Sequence, residues 1–265
     1  MDSNNYLSKE SKLFIVLGCF LIANAILAEF IGVKIFSLEK TLGFSPMELK
    51  LFGNVLSVNL TAGVLLWPVV FIMTDIINEY YGMKGVRFLS YLTAGLITFA
   101  FLVFVMAMNL TPADFFITSK QGSGVPDMEK AYNSVLGQGG FIIIGSLTAF
   151  ILGQLIDVFV FHRIKKVTGE KNIWLRATGS TLVSQFIDSF VVLFIAFYIG
   201  TRVNQNGTDF VWPMSLFLAV GVVNYIYKFI VAICLTPVIY LMHSVIERYL
   251  GKERATEMKL AAMQG

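Results

Sequence analysis

Long apolar runs alternate with short polar stretches along this chain, and six runs stand out, at about 13–36, 56–80, 86–109, 141–161, 177–199 and 212–243. Each is at least about 20 residues long, enough for a helix rising about 1.5 Å per residue to cross about 30 Å of hydrocarbon. The runs are continuously apolar rather than alternating in period two, which favours helices over barrel strands in lipid. The pattern predicts an all-α polytopic membrane protein: a single transmembrane domain over 1–265 forming a six-helix bundle. Lys9 and Lys12 ahead of the first run, and Ala23-Asn24-Ala25 within it, imitate a cleavable secretory signal. The apolar character resumes through Ile26 to Val33, so the segment reads as a retained membrane helix.

Basic residues between the runs set an orientation, because cytoplasmic loops carry the excess of Lys and Arg. Thirteen fall on one side: Lys9, Lys12, Lys84, Arg87, Arg163, Lys165, Lys166, Lys171, Arg176, Arg248, Lys252, Arg254 and Lys259. Five fall on the other, Lys40, Lys50, Lys120, Lys130 and Arg202. Both termini are therefore expected in the cytoplasm. The short link at Gly82 to Gly85 predicts antiparallel neighbours, and the connection from Leu110 to Gly140, rich in Gly (Gly139 among them) and Pro, reads as an external loop with little regular structure, either lid or linker.

Composition agrees. Of 265 residues, 56% are hydrophobic and 14% charged, against about a quarter charged in soluble domains. Mean hydropathy is +0.74. A soluble enzyme, a disordered chain and a disulfide scaffold are excluded, and a net charge of +3 gives no footprint for nucleic acid. Cys19 and Cys234 sit inside apolar runs and read as packing residues. No metal-ligand or cofactor motif occurs, and none is expected.

Polar groups inside the runs carry the candidate chemistry, since a charge at membrane centre costs about 2.5–3.5 kcal/mol on insertion scales. Asp75, Asn78 and Glu79 share one face of the second run; Gln154 and Asp157 lie three apart in the fourth. Thr181, Ser184, Gln185 and Asp188 form a stripe in the fifth, and Asn224, Tyr227 and Lys228 in the sixth. Four stripes facing lipid would cost on the order of 10 kcal/mol, so they should face each other or a hydrated cavity. Interhelical glue is the alternative reading for any one of them, and Lys228 with Asp188 or Asp157 can equally be a structural ion pair. Glu79 reads as solvated near the interface, and Glu29 and Lys34 as snorkelling to the outer surface.

Gln154-Leu-Ile-Asp157-Val-Phe159 matches Gln185-Phe-Ile-Asp188-Ser-Phe190 in helices of opposite direction, a hint of an inverted repeat too short to establish one. Aromatic residues flank the stripes; Trp67, Phe71, Phe161 and Tyr225 are candidates to stack on a planar heterocycle, an interaction worth about 1–3 kcal/mol per ring. Pro68 and Pro237 are placed to kink helices two and six.

Thr74-Asp75 followed by Gly82, Leu152-Gly153-Gln154-x-x-Asp157-Val158-x-Val160-Phe161-x-Arg163, Ser180-Thr181-Leu182 running to Asp188, Phe194-Ile195-Ala196-Phe197 and Tyr225-x-x-Lys228 together resemble the queuosine precursor transporter (vitamin uptake transporter) family over roughly 56–241. Family members need not carry an acid at the position of Glu79, a departure that leaves its role less defined than that of Asp75. The resemblance implies a multi-pass inner-membrane carrier importing 7-deazaguanines, the nitrile preQ0 and the aminomethyl preQ1. A carboxylate can accept from the N1–H and exocyclic amine of a guanine-like edge, with Gln or Asn completing it. The candidate set is Asp75, Asn78, Gln154, Asp157, Gln185, Asp188, Asn224 and Lys228: Asp188 or Asp157 for the guanine edge, Gln154, Gln185 and Asn224 to complete it, and Asp75 for the preQ1 ammonium. No phosphate-binding loop occurs, so no ATPase partner is expected, while a homodimer is compatible with the small residues of helices one and five. The rivals are a substrate-binding S component that depends on a separate ATPase and an intramembrane aspartyl enzyme; the chain has no His-Glu-x-x-His and no Gly-x-Ser-x-Gly.

Overall fold

The computed structural model describes residues 7–137, 140–169, 172–203 and 211–264, so Gly139 and Lys171, both used above, lie outside the described residues. Helix α1, Lys9–Ile31, opens on Ser8, whose hydroxyl accepts from the Ser11 N–H, and closes at Gly32. It ends five residues before the sequence expectation because the chain then forms β1, Ile35–Ser37, and the one-turn helix α2, Leu38–Thr41. Strands β2, Leu49–Leu51, and β3, Asn54–Leu56, form a hairpin. Strand β4, Asn59–Thr61, returns antiparallel to β1, with Ile35 opposite Thr61.

This small β layer replaces the start expected for helix two. Leu56, Val58 and Leu60 alternate with Ser57, Asn59 and Thr61, a period-two pattern that suits a strand with one covered face. Val58, Leu60 and Val64 are buried together with Val223. Glu39 locks the layer: its carboxylate accepts from the Val58 N–H at 2.6 Å and from the Ser37 hydroxyl at 3.0 Å.

Helix α3, Trp67–Met108, begins with Pro68 in its first turn, where the missing N–H leaves no hydrogen bond unmade; Pro68 starts the helix and does not kink it. The 42-residue helix breaks at Gly82, whose φ of 69° and ψ of −174° are left-handed extended backbone open to glycine. The arms on either side run in opposite directions. Ala28 lies against Gly63 and Phe14 against Tyr81, so the first arm runs against α1. Gly18 meets Leu89, and Phe30 meets Phe101 and Phe104, so the second arm runs alongside it.

The connection expected to be irregular contains two helices, α4, Asp114–Thr118, and α5, Met128–Leu136. The latter is capped by Asp127, which accepts from the Lys130 N–H at 3.0 Å. Helices α6, Gly140–Thr168, and α7, Ile173–Leu193, pack antiparallel: Gly153 faces Asp188, and Gly145 faces Val192 and Ala196. The chain continues through a wide-wound turn, Phe194–Ile199, into α8, Gly200–Val203. Helix α9, Met214–Leu250, runs on through Pro237. Gly221 lets the Phe190 ring rest on it; a Cβ there would stand 2.6 Å from the ring. Five helical stretches among the described residues have the length and apolarity to cross a membrane, and the protein is all-α in its membrane part and polytopic.

Helix α10, Lys252–Gln264, was not signalled by hydropathy, because its Lys, Arg and Glu mask a narrow buried face. Ala255, Lys259 and Ala262 sit at i, i+4 and i+7 and are buried. Ala262 lies against the Gly82 turn, where a Cβ would come within 3.1 Å of its carbonyl oxygen, and accepts from His162 Nε2 at 3.1 Å. The helix thus seals the end of the bundle at which α1 begins and α3 turns. Cys19 and Cys234, expected as packing residues, are free and exposed and lie outside the buried core.

The Val58 N–H, foremost, holds the Glu39 carboxyl below the ordinary carboxylate range. A depressed value means that its contribution is present above about pH 4.3 and fades as pH falls through the lower folded value. We expect the protection factor of the Val58 amide in hydrogen exchange to fall under acid below about pH 4 in the wild type, and to be low already at neutral pH in Glu39→Gln.

Candidate functional site

The four polar stripes converge. The first arm of α3 lies among α1, α6, α7 and α9, so its stripe has no route to lipid; Asp75, Asn78 and Glu79 are all 2% exposed or less. From α6, Gln154 Oε1 receives the Thr74 hydroxyl at 3.1 Å, and Asp157 Oδ1 receives the Ser184 hydroxyl of α7 at 3.1 Å. From α9, Lys228 Nζ donates to Asp188 Oδ2 at 2.5 Å, so of the two ion pairs left open the structure forms this one.

Below these groups lies a charge cluster in which Glu79 is the hub, not the solvated acid expected. Arg176 grips it with Nε at 3.0 Å and Nη2 at 2.6 Å, and Lys165 Nζ stands 3.3 Å from Oε2 and donates to the Glu79 carbonyl oxygen at 3.0 Å. The second Arg176 nitrogen, Nη1, donates to the Gly169 carbonyl oxygen at 2.8 Å. Arg176 and Lys165, loop cations by their position in the sequence, are thus buried inside the bundle. The signal for them was present: Lys165 follows Asp157 by two helical turns, and Arg176 precedes Ser180 and Ser184 at steps of four, so both extend stripes already recognised. Glu29 is likewise buried, accepting from the Ser146 hydroxyl of α6, whereas Lys34 is exposed. An acid on α1 snorkels only if its face meets water, and this face meets α6.

Beside the convergent groups is a cleft of about 540 Å³, its open mouth included, between the first arm of α3, α7 and α9. Asp75, Thr178, Thr181, Gln185, Tyr227 and Lys228 supply its polar wall, and Trp67, Phe71, Val231 and Leu235 much of its apolar wall. Of the candidates, Asp75, Gln185, Lys228, Trp67 and Phe71 line it. Asp188 touches it through Lys228; Gln154, Asp157 and Asn78 stand behind Asp75. Asn224 donates to Val220 O of its own helix at 3.0 Å, Phe161 lies beneath the Arg176 guanidinium at 5.9 Å, and Tyr225 meets Phe186 edge-on at 5.4 Å. These three are not among the lining residues, whereas Tyr227, which belongs to the helix-six stripe, and Thr178, which the sequence did not single out, are.

The wall is also unsatisfied. Asp75 Oδ1, Asp157 Oδ2, both polar atoms of the Asn78 amide, Gln154 Nε2 and Gln185 Nε2 are buried with no hydrogen-bond partner. A lone buried polar atom costs about 1–3 kcal/mol. Concentrating so many beside one cleft fits groups that await a ligand better than groups that hold helices together.

Helices long and apolar enough to cross a membrane, packed around a cleft with a polar wall, fit one class: this is a membrane transporter, a multi-pass protein of the inner membrane. Residues 61–242 match the family described as "Putative vitamin uptake transporter", and the chain belongs to that family. A "Probable queuosine precursor transporter" of Bacillus subtilis (strain 168) is 30% identical over 68% of this chain and 70% of its own length. A protein of the same description from Haemophilus influenzae (strain ATCC 51907 / DSM 11121 / KW20 / Rd) is 27% identical over 69% and 68%. The "Queuosine precursor transporter" of Escherichia coli (strain K12) is 25% identical over 80% and 83%. No solved structure matches the chain.

Removing Glu79 would leave two buried cations without their carboxylate. We expect Glu79→Ala to lower stability by about 3–5 kcal/mol, read as thermal unfolding of the purified protein in detergent. Lys130→Ala, which breaks an exposed pair with Asp127, should change it by less than about 1 kcal/mol.

Proposed function

We propose that this protein imports queuosine precursors of the 7-deazaguanine type, preQ0 or preQ1, and that it does so as a carrier rather than as an enzyme or an ATPase-dependent binding subunit. The observation that carries this reading is the pairing, at one cleft, of the unpartnered Asp75 Oδ1 and Gln185 Nε2 with the rings of Trp67 and Phe71. A guanine-like edge presents two adjacent donors, N1–H and the exocyclic amine, beside a carbonyl acceptor. A carboxylate and an amide N–H answer that set, and the aromatic rings offer a face to the bicycle. Naming Asp75 for this edge, instead of Asp188 or Asp157, follows from its place on the cleft wall. The 7-substituent then points toward Lys228 and Asp188, which between them offer a donor to a nitrile and an acceptor to an ammonium. The three relatives, each described as a queuosine precursor transporter or a probable one, support the same cargo.

Within this reading the chain crosses the membrane six times: α1, the two arms of α3, α6, α7 with its extension, and α9. The reversal at Gly82 supports counting α3 twice. Both termini lie in the cytoplasm, on the side where the basic residues accumulate. α10 then covers the cytoplasmic end, and the β layer the outer one.

In cells unable to make the precursor, with preQ0 or preQ1 supplied outside, the wild type should restore queuosine in tRNA. Asp75→Asn removes a charge-assisted acceptor worth about 1.5–3 kcal/mol, so uptake should fall about 10-fold to 100-fold. Gln185→Ala should fall less. Wild-type uptake by Asp75→Asn would remove Asp75 from the site.

A further inference from the structure

Asp75, Glu79 and Asp157 face two cations, Arg176 and Lys165, and all five side chains are 2% exposed or less. Glu79 engages both cations directly. Together those three carry one net positive charge. Asp75 lies within electrostatic range of Asp157, Glu79 and Arg176. If Asp75 and Asp157 were both ionised, the cluster would hold one uncompensated negative charge at membrane depth, where such a charge is costly. One proton shared between the two aspartates brings the sum to zero.

The other charged groups near this cluster do not alter the count. Across the cleft, Lys228 of α9 is matched by Asp188 of α7 at 2.5 Å, and Glu29 of α1 stands at the far end with Ser146. On the terminal side, Lys259 of α10 is taken up by Glu247 at 2.6 Å. The hydroxyl of Thr181 approaches Asp75, and that of Ser184 donates to Asp157. One oxygen of each aspartate, Asp75 Oδ1 and Asp157 Oδ2, remains buried and unpartnered, as does the adjoining Asn78 amide. No group of three His, Cys, Asp or Glu able to hold a metal ion occurs among the described residues, and a proton needs only the two free aspartate oxygens, leaving Asn78 Oδ1 and the Gln154 and Gln185 N–H groups beside them.

We propose that Asp75 and Asp157 bind one transported proton and that this proton is loaded together with the cargo; the inference rests on the import reading above. Asp75 is on the cleft wall and Asp157 lies behind it. Cargo that donates N1–H and its amine to Asp75 needs an ionised carboxylate there, so the shared proton is held on Asp157. Cargo and proton then occupy the site together, Asp75 as the carboxylate and Asp157 as the carboxylic acid. Releasing the cargo inside frees Asp75 to take the proton back and pass it to water through the cleft. With a neutral cargo, each cycle moves one positive charge inward.

The test uses the purified full chain in liposomes enclosing a pH-sensitive dye, with neutral preQ0 as the probe and the outside more acidic than the lumen. Adding preQ0 should acidify the lumen, and a protonophore should reduce accumulation severalfold. Asp157→Asn should lose the acidification and Asp157→Glu should recover it. Accumulation with no acidification and no response to the protonophore overturns the proton site while leaving import standing. Accumulation that needs sodium in place of a pH gradient also overturns it. Absence of uptake of both preQ0 and preQ1 by the wild type under any gradient would instead overturn the import reading, and the inference with it.

Discussion

The demand that a charge inside the membrane be answered by a charge or hydrogen bond of its own governs this bundle. Glu79 meets it most fully. One carboxylate from the first arm of α3 gathers a guanidinium from α7 and an ammonium from α6. Three helices are thereby fixed in rotation as well as in distance, because a slip of one residue would turn any of the three side chains about 100° out of the cluster. Buried ion pairs are weak contributors to net stability but strong selectors of one arrangement over others. Here the arrangement selected places Asp75, one turn before Glu79, against the cleft.

The two ends of that face behave differently. Toward α10, charges are paired and covered: Glu79 by its two cations, Lys259 by Glu247 at 2.6 Å, with Tyr80 against His243 Nδ1 at 3.1 Å. Toward the middle, hydrogen-bond capacity is left over on Asp75, Asn78, Asp157 and Gln185. A scaffold made only for rigidity would spread its unsatisfied atoms or remove them. The contrast separates a structural base from a working middle along a single helix face.

Much of this was legible before any coordinates. The apolar runs mark every long helix, and the i, i+3, i+4 spacing of Asp75, Asn78 and Glu79 identifies the face that turns inward. What escaped did so for physical reasons. A hydropathy sum cannot distinguish the alternating 56–61 segment from the start of a helix, since both are apolar on average. Lys165 and Arg176 were read as loop cations because charge near a membrane boundary is ambiguous until a partner is known, and the partner, Glu79, is far away in sequence. Side-chain contacts such as Asn224 to its own helix, or Phe161 beneath a guanidinium, depend on helix rotation, which spacing alone leaves free. The motifs that carry the family resemblance fall on the stripes themselves, and residues 61–242 of the family match leave α1 and α10 outside.

The docking of α10 bears on how the molecule is built. It follows every membrane helix in chain order, and its Ala262 rests on a turn at Gly82 laid down some 180 residues earlier. During synthesis that end of the bundle therefore stays uncovered until α10 leaves the ribosome. The first arm of α3, with its acids, must meanwhile wait in the lipid or in the insertion machinery for α6 and α7 to arrive with their cations. Biogenesis of this protein is thus a matter of holding an incomplete bundle in place until α10 can dock.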